Sequence, residues 1–160
     1  MSTKRSLESG REPALGDADP RPEFQELWFA LQRWHWASLV VVPADEGGSA
    51  VGIAQSLAAV GARLHGAAVT ALVAEALDFS SAAQVAASMA SGSSPRGASR
   101  TGQVIVAIEP VVAQPLAIAV ARAADSALLC IEMGRTRIAS AQRTIELVGR
   151  DRFVGCVMLT

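Results

Sequence analysis

The chain has no tyrosine, only two cysteines and two histidines, and no surplus of charge, with 14 basic side chains against 15 acidic ones. Each scarcity closes off a class of function. The basic residues are scattered, so the electrostatic footprint of a nucleic-acid binder is missing. Cys130 and Cys156 sit inside apolar runs, outside any C-x-x-C or Cys/His spacing, and read as small buried hydrophobes rather than metal ligands or a redox pair. His35 and His65 have no Cys, Asp or Glu at ligand spacing, so no metal site is expected. Long uninterrupted apolar runs are also missing. The most hydrophobic window, 104–121, carries Glu109, Pro110 and Pro115, which parses it as strand, loop and helix rather than as a membrane span. Residues 1–21 are polar with no apolar stretch of signal-peptide type, so a flexible tail and a cytoplasmic location are expected, with no direct membrane insertion.

What is present is apolar and regular. About half of the 160 residues are hydrophobic, with Ala, Val and Leu prominent, enough to bury the core of one domain over 22–160. Pro22 suits the first turn of a helix in which Phe24, Leu27, Trp28, Leu31 and Trp34 recur at three-and-four spacing. Ser38 to Val42 is short, β-branched and continuously apolar, the pattern of a strand buried on both faces. A turn-rich loop, 44–49, opens into a helix over 50–64. Further strands are predicted at 69–73, 103–108, 127–131 and 153–159, and helices at 80–90, 114–123 and 136–149. Thr136 is a plausible cap for the last helix and Gly149 its stop, with Ile138, Ala141, Ile145 and Val148 inward. The segment 91–102 is rich in Ser and Gly and reads as a mobile loop. Five apolar strands alternating with helices predict an α/β fold: a mostly parallel five-stranded sheet with helices on both faces.

A glycine-bearing loop between a first strand and its helix is where open α/β folds place an anionic ligand, because the helix N-terminus offers backbone N–H groups. Three stretches give that loop a context: Glu23 to Gln32, Val42 to Leu57, and the succession from Gln103 to Leu159 that includes Val104-Ile105-Val106, Leu116 to Leu129, Gly134 to Arg137 and Val154 to Leu159. In order and spacing the chain resembles the cytoplasmic domain of bacterial tyrosine kinases of capsule and exopolysaccharide export (BY-kinases), relatives of the MinD and ParA deviant-Walker ATPases. The resemblance implies a P-loop NTPase-like three-layer sandwich, with ATP or ADP and magnesium held at the loop.

Against that pattern the working groups are absent. A P-loop of this kind uses Lys on the phosphates and a Ser or Thr hydroxyl on magnesium. Pro43 and Gly48 match the resembled motif, but Gly47 departs from it, Ser49 stands at the Lys and Ala50 at the hydroxyl. The resembled family has an Asp ending the second strand, where Glu75 and Asp78 follow as displaced carboxylates, and another ending the third, where Ala107 stands with Glu109 two residues on. Phosphoryl transfer depends on placed cations and metal ions, so the combined loss points to a pseudoenzyme. With no tyrosine, self-phosphorylation on that residue is impossible. The expectation is therefore a non-catalytic interaction or regulatory module without an obligatory cofactor. Pro43, Gly47, Gly48 and Ser49 remain as a residual anion site.

The resemblance implies a protein partner: the cytoplasmic segment of a membrane polysaccharide co-polymerase, a related kinase, or a second copy of the chain. Recruitment to the inner membrane would be through that partner. An enzyme with a rearranged site and a partitioning regulator of the MinD/ParA type are the alternatives. Glu23, Trp34 and Trp36 are candidate interface residues, although core packing competes for the tryptophans. Of the motif for self-association in the family's leading helix only Glu23 is kept, with Glu26 and Phe29 at the arginine positions. Arg135 and Arg137 are expected at the sheet's carboxyl edge, where they either meet an acidic partner or are simply solvated.

Overall fold

The computed structural model describes residues 21–65, 69–90 and 102–160. The expected tail and most of the expected mobile loop lie outside that set. Five helices alternate with five strands: α1 Pro22–Leu31, β1 Ser38–Pro43, α2 Val51–His65, β2 Thr70–Ala74, α3 Phe79–Ala90, β3 Val104–Ile108, α4 Ala117–Ala123, β4 Ser126–Glu132, α5 Ile138–Val148 and β5 Phe153–Leu159. All strand pairs are parallel, in the order β2-β3-β1-β4-β5. The fold is α/β, as the alternation of elements requires.

Each face of the sheet has its own apolar layer. On one side α1 and α2 bring Trp28, Leu31, Ile53 and Leu57 onto Leu39, Val41, Ile105 and Leu128. On the other, α3, α4 and α5 bring Ala82, Val120 and Val148 onto Val40, Val42, Val104 and Val106. The three central strands are buried nearly throughout, which is why they read as continuous apolar runs. The two edge strands are not. β2 and β5 are largely half-buried or exposed, and Cys156, expected inside, is exposed. An edge strand and an interior strand share composition, and only neighbours distinguish them.

Helix boundaries also shift from expectation. α1 stops at Leu31, so Trp34 lies beyond the helix, 54% exposed, whereas Trp36 is buried. Of the two candidate interface tryptophans, Trp36 is therefore taken up by the core and Trp34 is not. Trp36 donates its indole N–H to the Leu31 carbonyl at 3.0 Å and meets Trp28 edge to face at 6.0 Å. α4 begins at Ala117 because Gln114 and Pro110 form turns ahead of it. In α5 the inward set includes Thr144 and Val148, and Ile138 is 78% exposed. The last helix begins after Arg137 without a side-chain cap, and Gly149 at φ +112° does end it.

Two contacts fix the layers. Asp125, just before β4, accepts from the N–H groups of Ala37 and Ser38 at 2.8 and 3.0 Å, while its own N–H donates to Ser38 Oγ at 2.9 Å. This exchange ties the amino ends of β1 and β4. Trp28 lies flat on α2 over Gly61, where an added Cβ would overlap its six-membered ring. Glycine at 61 is therefore a packing requirement.

Gly61→Ala is expected to destabilise by about 1–3 kcal/mol through overpacking, and Trp28→Ala by about 3–5 kcal/mol through the cavity left behind. Urea denaturation measures both, and an unshifted midpoint for Gly61→Ala would contradict the packing described. The two thiols should also separate. Burial, with the charges of Cys156 and Glu132 adding, pushes Cys130 up to about 12. A maleimide should label Cys156 in the native protein and reach Cys130 only on unfolding.

Candidate functional site at the first loop

From β1 the chain leaves toward β2 on one face of the sheet, and from the adjacent β4 it leaves toward β5 on the other. The crevice between the carboxyl ends of these two strands is the topological switch point, the place where such sheets hold ligands. A recess of about 310 Å³ occurs there, walled by Asp45 to Gly48 from the loop after β1 and by Glu132 and Arg135 to Arg137 from the loop after β4. Sequence reasoning located the first wall. It did not pair it with the second.

The joint between the walls is an ion pair. The loop turns at Asp45, whose carbonyl accepts from Gly48 N at 3.2 Å, with Gly47 at φ +79° completing the reversal. That turn faces the Asp45 carboxylate inward. Its Oδ2 accepts from Arg137 N at 2.9 Å and Arg137 Nε at 3.2 Å; its Oδ1 accepts from Arg137 Nη2 at 3.0 Å and Glu46 N at 2.8 Å. Both oxygens are saturated by donors, and the carboxylate side chain is only 11% exposed. The Arg137 side chain and backbone hydrogen bonds hold Asp45 far below the usual carboxylate range, and Asp45 in turn raises Arg137. A carboxylate of the chain itself thus takes the backbone N–H and guanidinium donors that an incoming anion would need.

The other cation of the recess is also committed: Arg135 Nη1 lies 3.2 Å from Glu132 Oε2. Both side chains remain largely in solvent, 77% exposed for Arg135 and 68% for Arg137, and the acidic groups they meet are the chain's own Glu132 and Asp45. Thr136 does not cap α5; its hydroxyl accepts from Glu132 N at 2.9 Å and fastens the turn that carries both arginines. With Asp45, Glu46 and Glu132 against two paired arginines, the lining has a net negative charge among its described residues. Of the residual anion site, Gly47 and Gly48 line the recess, Pro43 is buried in β1, and Ser49 Oγ accepts from Val51 N at 3.4 Å at the start of α2. The single lysine, Lys4, lies outside the described residues.

The displaced carboxylates have other occupations. Asp78 caps α3, its Oδ1 accepting from Ser81 N at 2.7 Å, and the Ser81 bonds lower its pKa. Glu109 Oε2 accepts from Ala76 N at 3.0 Å and holds a turn in which Ala76 takes φ +50°. Glu75 is exposed. None of the three lines the recess, and among the described residues no group of three or more His, Cys, Asp or Glu is placed to hold a metal ion.

No known family model and no curated protein matches the chain.

Because Asp45 ionises more readily in the folded chain than in the unfolded one, the unfolded state takes up the proton first as pH falls. The stabilisation is complete above the ordinary carboxylate value of about 4 and is lost progressively below it. Asp45→Asn should cost about 1–3 kcal/mol at pH 7. Its denaturation midpoint should converge on that of the parent as pH drops below about 4. A constant difference between pH 7 and pH 3 would contradict the pairing.

Proposed function

We propose that this chain is a non-catalytic interaction module built on a P-loop NTPase-like fold, in which the former phosphate loop serves as a structural joint. The observation that carries this reading is the Asp45 carboxylate held by Arg137 at the switch point. A polyphosphate entering the crevice would have to displace a saturated carboxylate and would meet Glu46 and Glu132, with no lysine among the described lining residues to offset them. Electrostatic repulsion and the lost ion pair oppose binding together. Phosphoryl transfer needs the opposite arrangement, with cations and a metal ion converging on the transferred group.

The resemblance to the cytoplasmic domain of bacterial tyrosine kinases suggests the setting in which such a module works. Its partner in that setting is the cytoplasmic segment of a membrane polysaccharide co-polymerase or a kinase of the same type, which would bring the chain to the inner membrane from the cytoplasm. No described helix is long and apolar enough to cross a membrane. Exposed Glu23 and Trp34 are the residues of the original interface set that remain available for docking.

Thermal denaturation with ATP or ADP, with and without magnesium, tests the reading. A ligand at one hundred times its dissociation constant would add about 2.7 kcal/mol, a rise in Tm of roughly 5–10 °C. We expect no shift. A clear magnesium-dependent rise overturns the proposal.

A further inference from the structure

Strand β5 is the longer of the two thinly covered edge strands among the described residues. Parallel strands are ordinarily covered on both faces and flanked on both edges, yet most of the seven residues from Phe153 to Leu159 are partly or fully exposed. The Leu159 carbonyl accepts from Met133 N at 2.8 Å, so Leu159 turns its main-chain groups toward β4, as does Val157 two residues back. Met158 and Cys156 turn theirs outward, off the edge. Natural edge strands are guarded by lysine, proline or a covering loop. The sequence Phe-Val-Gly-Cys-Val-Met-Leu has no charge and no proline.

We propose that β5 pairs antiparallel with β5 of a second copy, joining two five-stranded sheets into one. A two-fold axis sets each residue against its counterpart or a near neighbour, so a charged strand would repel itself; an uncharged one does not. The charged turn Arg150–Arg152 falls beyond the pairing rather than within it. Cys156, the middle residue of the seven, lies at the axis and exchanges main-chain hydrogen bonds with its counterpart.

The strand pair alone is too small for a stable dimer, which buries about 1,200–2,000 Å². Apolar surface continues on both sides of it. On the α1 face a groove of about 560 Å³ runs between α1 and β5, lined by Leu27, Trp34 and Val154 among others. Elsewhere near the carboxyl end of β5, Met158 is 63% exposed and Met133 55%. The opposite edge, β2, is the shorter strand at five residues. This inference does not depend on whether the first loop binds nucleotide.

Sedimentation and light scattering of the full chain should show a concentration-dependent species of twice the 16.6 kDa chain mass. Cys156→Lys and Cys156→Glu should each be monomeric with unchanged circular dichroism, and an equimolar mixture of the two should recover the dimer. A chain monomeric at the highest attainable concentration overturns the proposal. So does a mass that grows without limit, which would mean β5 joining β2 of the next copy. A dimer that both variants retain also overturns it, because the contact then lies elsewhere. Should either variant fail to fold, hydrogen exchange of the parent chain decides: the amides of Cys156 and Met158 should slow as concentration rises, and unchanged exchange there refutes the pairing.

Discussion

A parallel sheet has to be dry on both faces, and the described residues supply five α-helices with which to achieve it. The helices cover β1, β3 and β4 and leave the edges thin. Most of the architecture follows from that allocation. The central strands can be wholly apolar because two layers meet on them, and Trp28 can lie in the core only because Gly61 has no side chain. Neutral β5 remains at the margin, where association with another strand completes what the helices do not.

In the loop after β1 the polar groups are held by partners from the chain itself. The donors that meet the Asp45 carboxylate are the N–H groups of Glu46 and Arg137 and the Arg137 guanidinium. Because its partner Arg137 comes from the β4–α5 loop, the pair links two crossovers that leave the sheet on opposite faces. Asp125 and Ser38 make a comparable exchange at the other end of the same two strands. β1 and β4 are thus fastened at both ends by side chains about ninety residues apart in sequence, in addition to their ladder. A buried polar network of this kind is costly when half satisfied, and here both oxygens of Asp45 have donors.

Strand and helix periodicity made the fold legible, because buried parallel strands write themselves as uninterrupted Val, Ile and Leu. Periodicity could not say which strands would be edges: Val104 to Ile108 and Phe153 to Leu159 look equally apolar, and only the strand order separates them. At the first loop the sequence showed a departure from the resembled motif, in Ser49, Ala50 and Ala107. The site's positive content was not legible, since Asp45 and Arg137 lie 92 residues apart and each is an ordinary loop residue until the topology sets β1 beside β4. The tryptophans misled for a local reason. α1 ends one turn before its apolar pattern does, so Trp34 and Trp36 exchange the environments that helical spacing assigns.

The strand order has a consequence for how the chain is made. β1 and β2 are separated in the sheet by β3, so the first ninety residues contain two strands that do not touch each other. A chain emerging from the ribosome can form α1, α2 and α3 early, but no strand ladder exists until β3 threads between its predecessors. During that interval the wholly apolar β1 has neither of its final neighbours, and one of them, β4, has still to be translated. The molecule's most protected strand in the finished fold is its most exposed during synthesis, and its nascent form is the stage at which a chaperone has something to hold.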